Sequence, residues 1–382
     1  MSEKTDTGMS KISLKSIKSI LDNNENVASF IVIVITLLII IIAILYYIYN
    51  VNKLESTEVS FMNTLYPSLN GGIRPINVKD PDCSGNLFDY YIQTAYNACS
   101  GGSYKNDFVD ISVLKAIIKQ GVRGLDFEIF SIDNQPVVST STTDNYYVKE
   151  TYNYVNFVDV MEVIKNYAFA SGTAPNPTDP IIIHLRIKSN NQTMYSNFAS
   201  ILKSYDSIML GKEFSYESQG HNLGKMPLLS FRNKIILIVD KINNAYLENK
   251  EFYEYVNMTS NSVFMRAYTY YNIVNNPDTL ELTNYNKQNM CIVFPDENYN
   301  PPNPNGILCR NYGCQMVAMR YQLPDNFLAE NNAFFNNASY AFALKPANLR
   351  FEPVILPDPT PQNPNFSYAT RNASTDYYSF NF

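Results

Sequence analysis

The side chains best able to do chemistry come in pairs two residues apart. Asp126 and Glu128 lie in Gly121-Val-Arg-Gly-Leu-Asp-Phe-Glu-Ile-Phe130, and His184 and Arg186 lie in Pro180-Ile-Ile-Ile-His-Leu-Arg-Ile187. Both runs read as strands, in which alternate side chains share a face, so the two carboxylates point one way and the imidazole and guanidinium point one way. His184 sits deeper along its strand than Arg186 and is expected to be a satisfied core histidine rather than a catalyst. His221 falls in the polar stretch Glu217-Ser-Gln-Gly-His-Asn222, read as a loop, where the sequence names no partner for it.

Composition narrows the chemistry. With 2 His and 5 Cys in 382 residues, a many-histidine metal site and a dense disulfide framework are excluded. Cys83, Cys99, Cys291, Cys309 and Cys314 are odd in number and form no CxxC pair, so they leave the redox compartment open. A net charge of -6 gives no electrostatic reason to bind a phosphate backbone, and nucleic acid is not an expected partner. The chain holds 30 Tyr, 48 Asn and 0 Trp, a bias that AT-rich coding explains and a reason not to read every Asn or Tyr as functional.

The elements that must position these side chains begin only after a membrane-like segment. In residues 1–26, Lys11, Lys15 and Lys18 stand at helical spacing beside Ile12, Leu14, Ile17 and Leu21, which suits either a short amphipathic helix on anionic lipid or a solvated tail. Residues 27–50 carry no charge, and about 23 residues at roughly 1.5 Å each reach ~34 Å, enough to cross a bilayer. Tyr46, Tyr47 and Tyr49 follow as an interfacial belt where a signal peptide would have a small-residue cleavage site. The three lysines set against Lys53 predict a single pass with a cytoplasmic N-terminus. The main domain then lies across the membrane, and Asn191, Asn257, Asn337, Asn365 and Asn372 become candidate glycan acceptors.

Residues 51–85 read as a connector and 86–351 as the folded domain. In the tail, 352–382, Pro353, Pro357, Pro359, Pro361 and Pro364 stand too close for a helix or a central strand, so the tail is expected to be extended. Its end, Tyr377-Tyr-Ser-Phe-Asn-Phe382, is apolar enough to dock on a protein partner or on the domain's own flank.

Within 86–351 the periodicity predicts helices over 109–120, 157–168 and 194–205, and strands over 121–130, 136–138, 180–187, 234–240 and 314–321. Continuous apolar strands interleaved with helices imply a parallel sheet covered on both faces, hence a barrel or a doubly wound sheet. No GxGxxG or GxxxxGK[ST] follows a strand, so nucleotide-binding folds lose ground.

A resemblance decides between the two. Tyr91-Ile-Gln-Thr-Ala-Tyr-Asn97, Gly121-Val-Arg-Gly-Leu-Asp-Phe-Glu128, Gln135-Pro-Val-Val138, Asn166-Tyr-Ala-Phe169 and Pro180-Ile-Ile-Ile-His-Leu185 resemble, in order and spacing, the X half of phosphoinositide-specific phospholipase C. Gly313-Cys-Gln-Met-Val-Ala-Met319 and Tyr340-Ala-Phe-Ala-Leu-Lys-Pro346 resemble its Y half. The resemblance implies an α/β fold, a distorted TIM-type (β/α) barrel preceded by one transmembrane helix, with an X-like half over 86–245 and a Y-like half over 260–351. It also implies a site at the C-terminal ends of the strands.

The family's chemistry needs a histidine base, a histidine acid and a calcium ion. The resemblance puts Tyr96 at the position of the first histidine and Thr140 at that of the second, and neither can do the work near neutral pH. It makes Asn97, Asp126 and Glu128 three of the calcium ligands and puts Arg186 where the fourth, an acid, belongs. The expectation is therefore that Arg186 bridges Asp126 and Glu128 and that no metal is held. Lys241 is the one lysine near the position where the family reads ring phosphates. These substitutions imply a membrane-anchored, catalytically degenerate barrel acting as a structural or recognition module. The alternatives are an active phosphodiesterase using Tyr96, Asp126 and Arg186, and a lipid-headgroup binder without turnover. The compositional bias with a single anchored barrel is similar to proteins of large DNA viruses, which implies a place in a virion or its membrane.

Overall fold

The computed structural model describes residues 25–142, 147–215, 220–353, 358, 360–363, 366 and 368–382. The apolar runs pair as parallel strands: β1 (Tyr90–Ala95), β2 (Gly124–Ile132), β5 (Ile181–Ile187), β6 (Ile235–Asp240), β7 (Met258–Ser260), β8 (Met265–Thr269), β9 (Met290–Phe294) and β10 (Met316–Met319). Their order is β7-β6-β5-β2-β1-β10-β9-β8, which curls into a nearly closed eight-stranded barrel with helices between the strands. Two short strands, β3 (Gln135–Ser139) and β4 (Val155–Asn156), extend from β2 as an antiparallel meander, and β11 (Phe342–Leu344) pairs antiparallel with β1.

Alternation sets the chemistry of the interior. Along β5, Ile181, Ile183, Leu185 and Ile187 turn outward into the core under the helices, while Ile182, His184 and Arg186 turn inward. On β2 the outward set is Leu125, Phe127 and Ile129, leaving Asp126 and Glu128 inside. Burial on both faces is why these strands read as unbroken apolar runs. The lower interior is filled by Ile92, Ile182, Ile236, Met290 and Met316, so polar side chains gather toward the C-terminal ends, at the mouth.

Three expectations need correction. The first helix, α1, runs unbroken over Glu25–Leu65, so much of the supposed connector is helical. Beyond Tyr49 the chain is no longer apolar all round, but Met62, Leu65 and Tyr66 give it a stripe that packs into the barrel's outer core, and the Tyr66 hydroxyl donates to the Tyr321 carbonyl at 2.8 Å. Burial of that stripe keeps the helix going. Strands β1, β4, β7, β8, β9 and β11 are not among those the periodicity predicts. They are 2 to 6 residues long, too short to carry a clear period. Finally, residues 351–382 form a separate unit whose end is not extended: Asn372–Ser374 pairs antiparallel with Ser379–Asn381 as a small hairpin, on which Phe380 lies against Tyr378 and Phe382 at 5.7 and 5.8 Å.

Lys11, Lys15, Lys18, Pro357, Pro359, Pro364 and Asn365 lie outside the described residues. All five cysteines are buried thiols. Two of the glycan triplets are occupied structurally. Asn191 caps the helix Gln192–Lys203 and its amide donates to Ser131 and Asn134, and the buried Asn257 amide donates to the Gly211 carbonyl at 3.2 Å, so neither amide is available for a glycan.

Candidate functional site

The site is made by register. β2 and β5 pair so that Asp126 lies beside His184 and Glu128 beside Arg186. Both pairs point into the mouth, and β1 delivers Tyr96 and Asn97 from the other side of β2. Asn97 leaves its strand at φ 43, a left-handed conformation that asparagine tolerates better than most residues.

Arg186 ties the group together. Its Nη1 donates to Glu128 Oε1 at 2.7 Å, its Nε and Nη2 donate to the two oxygens of Asp126 at 3.1 and 2.8 Å, and Nη2 also donates to Asn97 Oδ1 at 2.9 Å. The guanidinium carbon lies 4.6 Å from the Tyr96 ring centre and 5.3 Å from that of Phe294, so two aromatic faces cover the cation. The other Glu128 oxygen accepts from the Ser141 amide and hydroxyl, each at 2.8 Å. Thr140 turns away and donates to the Tyr104 carbonyl at 3.0 Å.

The electrostatics follow from this packing. Burial pushes the Asp126 carboxyl up, but Arg186 and the donating His184 outweigh it and hold the group at about 2. Burial works against the Arg186 cation too, and Asp126, Tyr96 and Glu128 nonetheless raise it well above the usual guanidinium value. The Tyr96 hydroxyl is raised well above the ordinary phenol value by burial first, which Arg186 offsets only in part.

This donor set does not fit calcium. Every oxygen of Asp126 and Glu128, and the Asn97 carbonyl oxygen, already accepts from an N–H or O–H donor, and the positive charge is supplied by Arg186. Among the described residues no group of three or more His, Cys, Asp or Glu side chains is arranged to hold a metal.

Below this layer, His184 Nδ1 meets Asp126 Oδ1 at 2.8 Å and its Nε2 meets Ser260 Oγ at 2.9 Å. An Asp-His-Ser chain has the connectivity of a hydrolytic relay. Here all three side chains are fully buried, with Phe294 packed over the imidazole at 5.4 Å. The chain satisfies a core histidine and steadies Asp126 from beneath.

Lys241 does not join the group; it is exposed and lines a different hollow with Tyr246, Tyr253 and Val256. His221 is exposed. Sequence reasoning missed Ser260, Asn261, Tyr268, Asn272 and Glu297, although Asn261, Tyr268, Asn272 and Glu297, with Asp240, Phe294, Tyr96 and Arg186, line a mouth pocket of about 220 Å³. These residues come from short strands or loops whose local pattern carries no signal.

Family models place this geometry. The X domain of phosphatidylinositol-specific phospholipase C matches residues 83–241, and its Y domain matches residues 236–348. The two spans together cover every barrel strand and well over half of the chain, which therefore belongs to the phosphatidylinositol-specific phospholipase C-like family. Among solved structures, PLC21 from L. pealei is similar with a TM-score of 0.58 at 18% identity, covering 70% of this chain and 38% of that one. PLC21 from S. officinalis is similar with a TM-score of 0.55, also at 18% identity and with the same coverage. At this identity the likeness is one of fold, and this chain spans less than half of those proteins. We found no match among curated protein sequences.

Proposed function

We propose that the protein is a membrane-anchored, catalytically degenerate phospholipase C-like barrel that serves as a recognition or structural module. The observation that carries this reading is Arg186, which occupies with its own charge and hydrogen bonds the place that a calcium ion takes in the family. Tyr96 and Thr140 support it, because burial leaves the Tyr96 phenol even less ionised near neutral pH than free tyrosine, so that almost no phenolate is present to act as a base, and Thr140 is turned onto a backbone carbonyl. The same facts weigh against a hydrolase built on Tyr96, Asp126 and Arg186. The anchor is the apolar part of α1, long enough to cross a bilayer and uncovered by the rest of the protein. In this reading the N-terminus is cytoplasmic, the aromatic tail hairpin docks a protein partner, and the membrane is that of a virion.

The deciding experiment is release of inositol phosphate from ring-labelled phosphatidylinositol vesicles by the full chain, with and without calcium. Background release is expected. Turnover within about tenfold of an ordinary family enzyme would mean that an effective acid and base are present, and the degenerate reading would fall.

A further inference from the structure

We propose that α1 is a rigid bracket: one unbroken helix that crosses the bilayer and holds the barrel with its mouth turned toward that same bilayer, residues 147–154 of a mouth loop resting in the headgroup layer. The inference rests on the membrane reading of residues 27–50.

Direction comes from the packing. Helix α1 lies against α2 (Ile111–Lys119), and just past its end the Asn70 amide donates to the carbonyl of Lys119, the last residue of α2, at 2.9 Å. In a β/α barrel the helix that precedes β2 descends from the mouth to the base, so α1 ends near the base and its N-terminal part projects beyond the mouth. From Met62, buried in the outer core, to Tyr49 is 13 residues of helix, or about 20 Å at roughly 1.5 Å per residue.

Rigidity comes from a chain of contacts along that length. Asn153 donates to Glu55 at 3.3 Å, and the Glu58 carboxyl lies on Gly102 beside Asp107, so closely that a methyl at Gly102 would collide with both carboxyls. At the top, the hydroxyls of Tyr47 and Tyr152 are 2.8 Å apart. Tyr47 belongs to the aromatic belt closing the apolar segment, and Tyr152 to the mouth loop whose Ser141 binds Glu128. That hydrogen bond puts the loop at the height of the membrane interface.

The loop's surface suits that height. Tyr147, Val148, Tyr152 and Tyr154 are 45%, 65%, 39% and 42% exposed, an aromatic and aliphatic ridge with polar tips of the kind favoured among headgroups. Ile242, on another mouth loop, is 66% exposed. A free-swinging domain on a flexible tether would have no reason to align this ridge with the tyrosine belt of its own helix.

The test uses the full chain in phosphatidylcholine vesicles, with and without phosphatidylinositol, and single cysteines carrying an environment-sensitive fluorophore; the native thiols are buried and stay unlabelled. Ile39→Cys reports insertion, Val148→Cys the mouth loop, and Ser207→Cys the barrel base. A headgroup-level nitroxide lipid should reduce the Val148→Cys signal roughly twofold or more and leave Ser207→Cys unchanged, while an acyl-chain nitroxide quenches Ile39→Cys. If Ile39→Cys is not quenched, the membrane reading itself fails. If Ile39→Cys is quenched but Val148→Cys is not, or Ser207→Cys is quenched instead, the anchor stands and the bracket is overturned. A flexible Gly-Ser insertion after Asn50 should abolish the Val148→Cys quenching and spare Ile39→Cys; persistence of both would show that α1 does not hold the mouth in place.

Discussion

The barrel mouth and the seat of the long helix each bring two carboxyl groups together, and the two places solve the resulting repulsion in opposite ways. At the mouth, Asp126 and Glu128 share Arg186, and Asp126 is held at about 2 despite complete burial. At the seat, Glu58 meets Asp107 with no cation bridging them among the described residues. Burial first, and then the hydrogen bond and charge of Asp107, raise Glu58 to about 9, so that near neutral pH it is a protonated carboxylic acid. Asp107 is meanwhile held by the amides of Ser103 and Phe108 at 2.7 and 3.0 Å. A guanidinium turns a carboxylate pair into a permanent structural unit; without one, the same chemistry makes a contact that depends on a proton.

The largest effect that could break this comparison lies at the mouth. If the barrel is catalytically degenerate as proposed, phosphatidylinositol turnover should be lower than in an ordinary family member by on the order of 10²- to 10⁴-fold for each proton-transfer group it lacks, as read from inositol phosphate release. Activity near the family level would mean that the cluster opens to substrate.

Next in size is the cluster's structural weight. Arg186→Ala strands two buried carboxylates, and removing one partner of a buried pair commonly costs about 3 to 5 kcal/mol. Denaturant unfolding should show that loss, and calcium should raise the melting temperature of Arg186→Ala while leaving the wild type unmoved. Calcium stabilisation of the wild type would show that Arg186 does not occupy the site.

The seat should respond more weakly. Gly102→Ala forces a methyl against Glu58 and Asp107, and overpacking of this kind costs typically 1–3 kcal/mol. The predicted signature is faster proteolysis between Lys53 and Tyr66, with the strands still protected; unchanged cleavage would remove the seat from the account.

The pH dependence separates the two clusters. Asp126, lowered from 3.8 to about 2, contributes stability that is present above pH 3.8 and lost as pH falls through about 2. Glu58, raised from 4.5 to about 9, contributes stability that is fully present below pH 4.5 and lost as pH rises through about 9. Melting curves across this range should therefore decline at both ends, and Glu58→Gln, which keeps a hydrogen-bond donor toward Asp107, should flatten the alkaline decline only. A Glu58→Gln profile identical to wild type would mean that Glu58 is ionised throughout.

The smallest effect is expected from the tail. Residues 351–382 form a unit of their own, so deleting them should leave the melting temperature within a few degrees and both pH limbs intact. Collapse on truncation would show that the tail completes the barrel.

Much of this protein could be read along the chain. The parallel barrel follows from strands such as Ile181–Ile187, whose two buried faces leave an unbroken apolar run, and from the motifs around Asp126 and Cys314. The pairing of Asp126 with Glu128 and of His184 with Arg186 follows from the two-residue period of a strand, which is local and fixed by covalent geometry. The sequence could not say that Ser260 lies under His184 or that Glu58 meets Asp107. These partners are 76 and 49 positions apart and meet only through closure of the barrel and the landing of α1 on its flank. Nor could hydropathy show where α1 ends, because the apolar period stops at Tyr49 while the helix is carried to Leu65 by burial of Met62 and Tyr66. Local period determined which way each side chain points; tertiary packing decided what it meets, and so whether a carboxyl keeps its proton.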